Sequence, residues 1–403
     1  MKKHNIIAMA LTSLMALPVI AQDSTPAVGD ILQGINMFTP EEGDPAYKVK
    51  ANEKYGTQWG VDMAYGLWNT EKVSDVKRHN NLALLHAQLN QRLIEDKANG
   101  GTWLRVEFSG SWGLDRESAQ SDTFFTEAYA TASGLHADAM GPHEGIFPEV
   151  ALMQYFAGKR ACLIAGMVNL TNYFDAVSIA NDSFSSFTND GFVNSTILPL
   201  VDSNIGGILQ LNRNNYMMVA VSRTGCDSGY NPFNSDYCDG YAVVGEYGHI
   251  FADGAATLRI NPFYTSTDVD MDDGTGERRR QNAGLVASIE YTPCDPLTIY
   301  SRAGFAAKQY LSNSAEFSVG ANIKLFPSRE DDFLGISYGV FKGQTPCDGE
   351  RAEHNREQVL EVMYSFQVND YFKVVPHFQY IANPAYSTSS ENILWGVQAV
   401  FSF

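Results

Sequence analysis

Along much of this chain apolar and polar side chains alternate one by one, in runs of about ten residues. In the run 58–68, Trp59, Val61, Met63, Tyr65 and Leu67 share one face, and Gly60, Asp62, Ala64 and Gly66 the other. Leu85, Ala87, Leu89 and Leu93 then oppose His86, Gln88, Asn90 and Arg92, and Leu104, Val106, Phe108 and Trp112 oppose Arg105, Glu107, Ser109 and Ser111. Much later Phe317, Val319, Ala321, Ile323 and Leu325 oppose Glu316, Ser318, Gly320, Asn322 and Lys324. The final run sets Ile393, Trp395, Val397, Ala399, Phe401 and Phe403 against Gly396, Gln398 and Ser402. Successive side chains of a strand point to opposite faces, so each run predicts a strand with one greasy and one wet face. A half-buried soluble sheet gives the same alternation. Here, however, the polar face carries Arg, Glu, His and Asn, and the last strand stops on an aromatic. The pattern predicts an all-β fold, a transmembrane antiparallel β-barrel of the outer-membrane kind.

The connections set strand number and direction. Short links at 158–160, 212–215, 252–254, 292–296, 327–331 and 369–370 alternate with longer polar ones at 170–204, 224–240, 266–280 and 344–356. Outer-membrane barrels pair short periplasmic turns with long outer loops. Taking 123–133 as a strand would make the count odd and leave the N-terminus outside. That stretch alternates imperfectly and lies between long polar segments, so 114–149 is read as an outer loop. The expectation is about sixteen strands.

The N-terminus adds the compartment. Lys2 and Lys3 precede an apolar run from Ile6 to Ile20, and Val19-Ile20-Ala21 supplies a small residue at the cut. This predicts a signal peptide, residues 1–21, removed on export. Residues 22–56 are then expected as an N-terminal periplasmic or plug segment and 57–403 as the barrel. No other stretch approaches about 18 consecutive apolar residues, which excludes ordinary transmembrane helices. The net charge of −18 makes nucleic acid a poor partner.

Of five cysteines, Cys226 and Cys238 share one predicted outer loop, where a disulfide is expected and would contribute about 3 kcal/mol. Cys162, Cys294 and Cys347 are expected to be free. The acidic run 268–274 invites a calcium reading, but its sixth and twelfth positions are Asp273 and Arg279, where an EF-hand needs Gly and Glu. It reads as a solvated loop. His86, His249 and His377 come with no Gly-x-Ser-x-Gly, His-Glu-x-x-His or phosphate-loop motif, so neither an enzyme nor a cofactor is expected.

Two segments resemble one family. Residues 166–175, with Asn169 and Tyr173-Phe174-Asp175, are followed by Asn181-Asp182 and by Phe192-Val193-Asn194. This is similar to a strand and loop of the carbohydrate-selective porins, the OprB family. Val375-Pro376-His377-Phe378-Gln379-Tyr380-Ile381-Ala382-Asn383-Pro384 resembles that family's penultimate strand, and Gly100-Gly101-Thr102-Trp103 its entry to a third strand. Local physics reads Asn383-Pro384 as a strand stop and Asn181-Asp182 as a turn.

The resemblance implies a water-filled barrel that passes sugars by diffusion, in contact with outer-membrane lipid and lipopolysaccharide. Whether barrels associate with one another is left open. Such a pore prefers its solutes through lining groups and width. Candidate lining groups on the inner face are Asp62, Arg92, Arg105, Glu107, Glu246, Arg259, Asn261, Arg302, Asn322, Glu361, His377 and Gln379. Arg105 and Glu107 in particular are expected to be solvated. The rival readings are a general non-selective porin and an adhesin or structural barrel whose loops bind a partner. Against the adhesin, 170–204 holds Tyr173, Phe174, Phe184, Phe187 and Phe192, which suit a loop that folds inward to form a constriction.

Overall fold

The computed structural model describes residues 45–70, 79–114, 131–137, 143–212, 215–224, 240–270, 278–307, 313–343, 353–385 and 388–403. Sixteen strands form a closed barrel in which every strand pairs with its sequence neighbours and β1 pairs with β16. They are β1 (Thr57–Thr70), β2 (His79–Ile94), β3 (Thr102–Gly113), β4 (His143–Phe156), β5 (Ala161–Val168), β6 (Asn204–Asn212), β7 (Asn215–Thr224) and β8 (Gly240–Phe251). The circuit continues with β9 (Ala256–Asp270), β10 (Arg278–Cys294), β11 (Leu297–Ala306), β12 (Asn313–Ile323), β13 (Phe333–Gly343), β14 (Glu357–Asn369), β15 (Phe372–Ala382) and β16 (Glu391–Ser402).

The ring closes between Met63 and Phe401, with Phe403 and Val61 exchanging both backbone hydrogen bonds at 2.9 and 3.0 Å. Closure removes the sheet edge, which hydrocarbon would not tolerate. The greasy face points out: Met63, Tyr65, Leu67, Phe317, Val319, Trp395, Phe401 and Phe403 are all exposed. Stacked pairs Phe372–Phe401 (4.7 Å) and Tyr371–Phe403 (6.1 Å) belong to the aromatic girdle at one rim.

Short turns gather at one end. Between β2 and β3, Gly100 (φ 97°) and Gly101 (φ 81°) make the turn, and a Cβ on Gly101 would lie 2.1 Å from the Ile94 carbonyl oxygen. Only glycine fits there. The turn before β13 is pinned by Asp332, which accepts hydrogen bonds from Arg329, from Tyr364 OH (3.0 Å) and from the Gln367 backbone N–H (2.9 Å). Ahead of β1, helix α1 (Ala46–Tyr55) ends on left-handed Gly56 and lays Lys48 over the Trp59 ring at 4.7 Å.

Two boundaries differ from expectation. β4 begins at His143, inside the loop expected over 114–149, because Glu149 and its neighbours pair with β3. β9 extends to Asp270 and β10 begins at Arg278, so the acidic run enters the sheet and the loop expected over 266–280 is shorter. Both stretches are rich in polar residues, so the strand alternation does not show in the sequence there. Residues 1–44, with the expected signal peptide, and the Cys226, Cys238 and Cys347 positions lie outside the described residues. Cys162 is free and buried, and Cys294 is free and exposed.

Candidate functional site: a loop folded into the lumen

The segment joining β5 to β6, residues 169–203, does not lie over the rim. It enters the barrel. Leu170, Phe174, Val177, Phe187, Phe192 and Ile197 are completely buried. Leu170, Phe174, Ile197 and Leu198 pack with Met153, Ile164, Ile208, Met218, Val244 and Val286 from the inner faces of β4–β8 and β10. The interior there is apolar, unlike the wet interior expected of every strand. Farther round, Phe192 meets Phe187 (5.9 Å) and Phe341 (6.2 Å), and Phe187 meets Tyr300 (6.4 Å). Burying each such side chain contributes about 1.5–3 kcal/mol.

Packing cannot satisfy the loop's backbone, and the wall supplies acceptors for it. Glu246 on β8 accepts the Asp175 N–H at 2.8 Å, and Glu290 on β10 that of Ser178 at 3.1 Å. Glu361 on β14 takes the N–H groups of Thr188 (2.9 Å) and Asn189 (3.0 Å) together with the Thr188 hydroxyl (2.9 Å). Glu316 on β12 binds Thr196 through N–H (3.0 Å) and hydroxyl (2.7 Å), and also Ser195 Oγ. At the start of the loop, Glu107 accepts from the side-chain amides of Asn169 (3.2 Å) and Asn172 (2.8 Å), and Glu149 from Asn172 (3.1 Å) and Tyr173 OH (2.6 Å). A carboxylate offers two oxygens and no donor, so one inward Glu can end several orphan N–H groups at once.

A second inward piece, residues 131–137, adds to the plug. Glu357 accepts the N–H groups of Ala132 (2.7 Å), Ser133 (3.0 Å) and Ala385 (3.0 Å). Ser133 O receives the Gly191 N–H at 2.9 Å, and Thr188 O that of Ala137 at 2.9 Å, so the two segments brace each other.

The motif residues of the resemblance become anchors. Asp175 lies 2.7 Å from Arg302 Nε, and its Oδ2 accepts the Ser195 N–H at 2.9 Å. Asp182 takes the Phe184 N–H at 2.8 Å in a local turn, and Asn181 Oδ1 accepts from Asn194 Nδ2 at 2.7 Å. Asn189 caps the one-turn helix α2 (Asp190–Val193) through the Gly191 N–H at 3.1 Å. Asn383, with φ 52°, ends β15 and steers Ala385 onto Glu357.

Of the residues read as pore lining, nine are nearly or fully buried: Arg105, Glu107, Glu246, Arg259, Asn261, Arg302, Glu361, His377 and Gln379. They face inward but meet the folded loop or one another rather than open water, which corrects the solvated picture of Arg105 and Glu107. Arg105 donates to Glu149 at 3.0 Å and lies 3.6 Å from Glu107, and Arg259 lies 3.4 Å from Glu290. Asn261 and Tyr216 both donate to Glu246 at 2.6 Å. His377 Nδ1 lies 3.1 Å from Glu361, and Gln379 donates to Leu135 O at 3.0 Å. Arg302 donates to Phe192 O at 3.2 Å. Asp62, Arg92 and Asn322 remain partly exposed, Arg92 over the Trp103 ring at 5.8 Å. Sequence reasoning missed Glu149, Glu290 and Glu357 and, although it put Glu316 on the inward face, gave it no role. Their signal was available: a single Glu at an inward position among apolar neighbours, repeated from strand to strand.

The loop also crosses the lumen. Ser178 is held by Glu290 on β10, while Phe184 lies 6.4 Å from His86 on β2 and Ser183 O accepts from Gln398 on β16 at 3.3 Å. β2 and β10 stand eight strands apart in a ring of sixteen, on opposite walls. The six-residue step from 178 to 184 reaches at most about 20 Å when extended, so it divides the interior. Asp62, His86, Asn172, Ser178, Asp182, Phe184 and Glu290 keep solvent contact beside this bridge.

A closed sixteen-stranded barrel, greasy outside and narrowed by an inward loop, is an outer-membrane porin. Residues 247–403 match the family described as carbohydrate-selective porin, OprB family. No curated protein matches the chain in sequence. The fold is similar to that of Pseudomonas putida OprB at high pH, with a TM-score of 0.71 and 14% identity over 89% of this chain and 96% of that one. It also resembles a loop-deleted OmpT of Vibrio cholerae (TM-score 0.52, 10% identity, 86% of this chain and 99% of that one). A mutant porin of Rh. blastica gives a TM-score of 0.51 and 10% identity over 86% of this chain and 100% of that one.

Proposed function

We propose that this protein is exported by a cleaved signal peptide and sits in the outer membrane among lipid and lipopolysaccharide. There it lets sugars diffuse through its lumen without catalysis or cofactor. The observation that supports this reading best is the inward loop, which narrows the barrel to a passage edged by hydrogen-bonding groups and one aromatic face. Asp62, His86, Asn172 and Ser178 offer donors and acceptors, and Phe184 offers a ring beside them. A sugar is a neutral polyol with apolar ring patches, so such a lining binds it weakly and releases it. His86 lies 2.7 Å from Glu107, which fixes its ring. Asp62, Arg92 and Asn322 are the pore-lining candidates that keep water contact, while the buried nine act by holding the loop.

The test is single-channel current in a planar bilayer during sugar titration, with liposome swelling as a second readout. Sugar-blockable current and swelling in mono- and disaccharides are expected. Current that no sugar reduces would make this a general porin, and the absence of current would point to an adhesin or structural barrel.

A further inference from the structure

We propose that the passage sorts solutes by charge. It favours cations, so that an amino sugar passes better than a neutral hexose of the same size and a uronate worse. This rests on the porin reading and adds a selectivity to it.

The charges that meet water decide the sign. Among the described residues, the arginines set deep in the wall are Arg105, Arg259 and Arg302, whose side chains are 3%, 1% and 0% exposed. Each is committed to carboxylates, Arg105 to Glu149, Arg259 to Glu290 and Arg302 to Asp175. They have little left to offer a passing anion. Acids, by contrast, do reach the lumen. The Asp62 side chain is 36% exposed, with the His86 ring 4.0 Å away. Glu290 keeps 12% exposure, and Asp182 on the bridging loop is half-buried, with the Phe184 N–H and the Ser185 hydroxyl, both uncharged donors, on its oxygens.

Among the described residues, the inward cations that meet water sit near the short-turn rim. Arg92 is close to the end of β2, Lys373 is the second residue of β15, and Lys324 lies 3.5 Å from Asp295. A low-dielectric cleft lined by one sign of charge focuses its field and concentrates the opposite ion about tenfold or more.

The experiment is the reversal potential of the full-length barrel in a bilayer under a KCl gradient, with liposome swelling in glucosamine, glucose and glucuronate. Potassium preferred over chloride by about tenfold, and swelling rates falling in that order of sugars, are expected. Asp62→Asn should lower the ion preference by about threefold, and Asp62→Lys should lower it further. A pore that passes sugars yet prefers chloride, or an Asp62→Lys barrel with the parent's ion preference, overturns the charge inference and leaves the porin reading intact. Potassium preference without any sugar flux supports the charge inference and overturns the sugar reading. A barrel that carries no current overturns both.

Discussion

Glu361 offers the cleanest test of how the loop is held. Its Oε1 takes the Thr188 N–H and hydroxyl, both at 2.9 Å, and its Oε2 takes the Asn189 N–H at 3.0 Å. Glu361→Gln keeps the shape but replaces one oxygen by an NH2 group, so one backbone N–H must face a donor. A hydrogen bond to a charged group contributes about 1.5–3 kcal/mol, and a buried N–H left unsatisfied costs about 1–3 kcal/mol. The two overlap, so we take about 3 kcal/mol against docking of 187–189, which multiplies the undocked population roughly a hundredfold. The strand itself keeps its ladder to β13 and β15, so the barrel should survive, as judged by heat-modifiability on gels. Single-channel traces should show more open-state noise and weaker sugar block, and protease should cut near Asp190 faster than in the parent. Glu361→Ala should exceed Gln in all three readouts. A folded Glu361→Gln barrel with the parent's noise, block and proteolysis rate would refute the idea that wall carboxylates hold the loop.

Arg105→Ala leaves Glu107 and Glu149 buried without their cation, so the barrel should lose about 3–5 kcal/mol, read as a lower unfolding temperature on heat-modifiability gels. Phe401→Asp puts a charge on the lipid face beside Phe372, within the aromatic girdle, and should reduce insertion into vesicles by at most about 1 kcal/mol. His136, on the inward segment 131–137, is pushed down to about 3 by burial and by the neighbouring His377, against an ordinary value of about 6.5. The undocked segment then binds the proton more tightly, so docking is firmest above about pH 6.5 and weakens toward about pH 3, by up to about 1.4 kcal/mol per pH unit. Conductance noise should rise as the pH falls through that window, and His136→Phe should flatten the rise.

The barrel was legible because lipid imposes a rule that each strand must obey on its own. Most outward positions are apolar, so alternation alone fixes the faces, and the two-stroke rhythm of links fixes direction. The β4 boundary was missed where that rule weakens: His143-Glu144-Gly145-Ile146 starts the strand with polar residues near the outer rim. β5 shows the opposite failure. Cys162, Ile164 and Val168 face inward and are wholly buried, so this strand is apolar on both faces and would read equally well as a soluble core strand.

The roles of the inward residues were less legible, for a physical reason. Alternation says that Arg105, Glu246 or Glu361 points into the barrel, but not whether water or folded chain lies on the other side. Both environments accept a charged group, water by solvating it and a loop by presenting unpaired N–H groups to it. The loop's own sequence separates them. Residues 169–203 carry more large apolar side chains than a solvated surface loop can use, with Leu170, Phe174, Phe187, Phe192, Ile197 and Leu198 all needing cover. A segment that must bury those rings inside a barrel brings its backbone along, and each N–H it brings needs an acceptor. An inward Glu on several strands is therefore what an aromatic-rich inward loop demands. Arg302 shows the same demand from the other side, lying 2.7 Å from Asp175 of the loop while donating to the Phe192 carbonyl. Reading the two patterns together, rather than strand by strand, turns a roll of lining residues into a set of anchors.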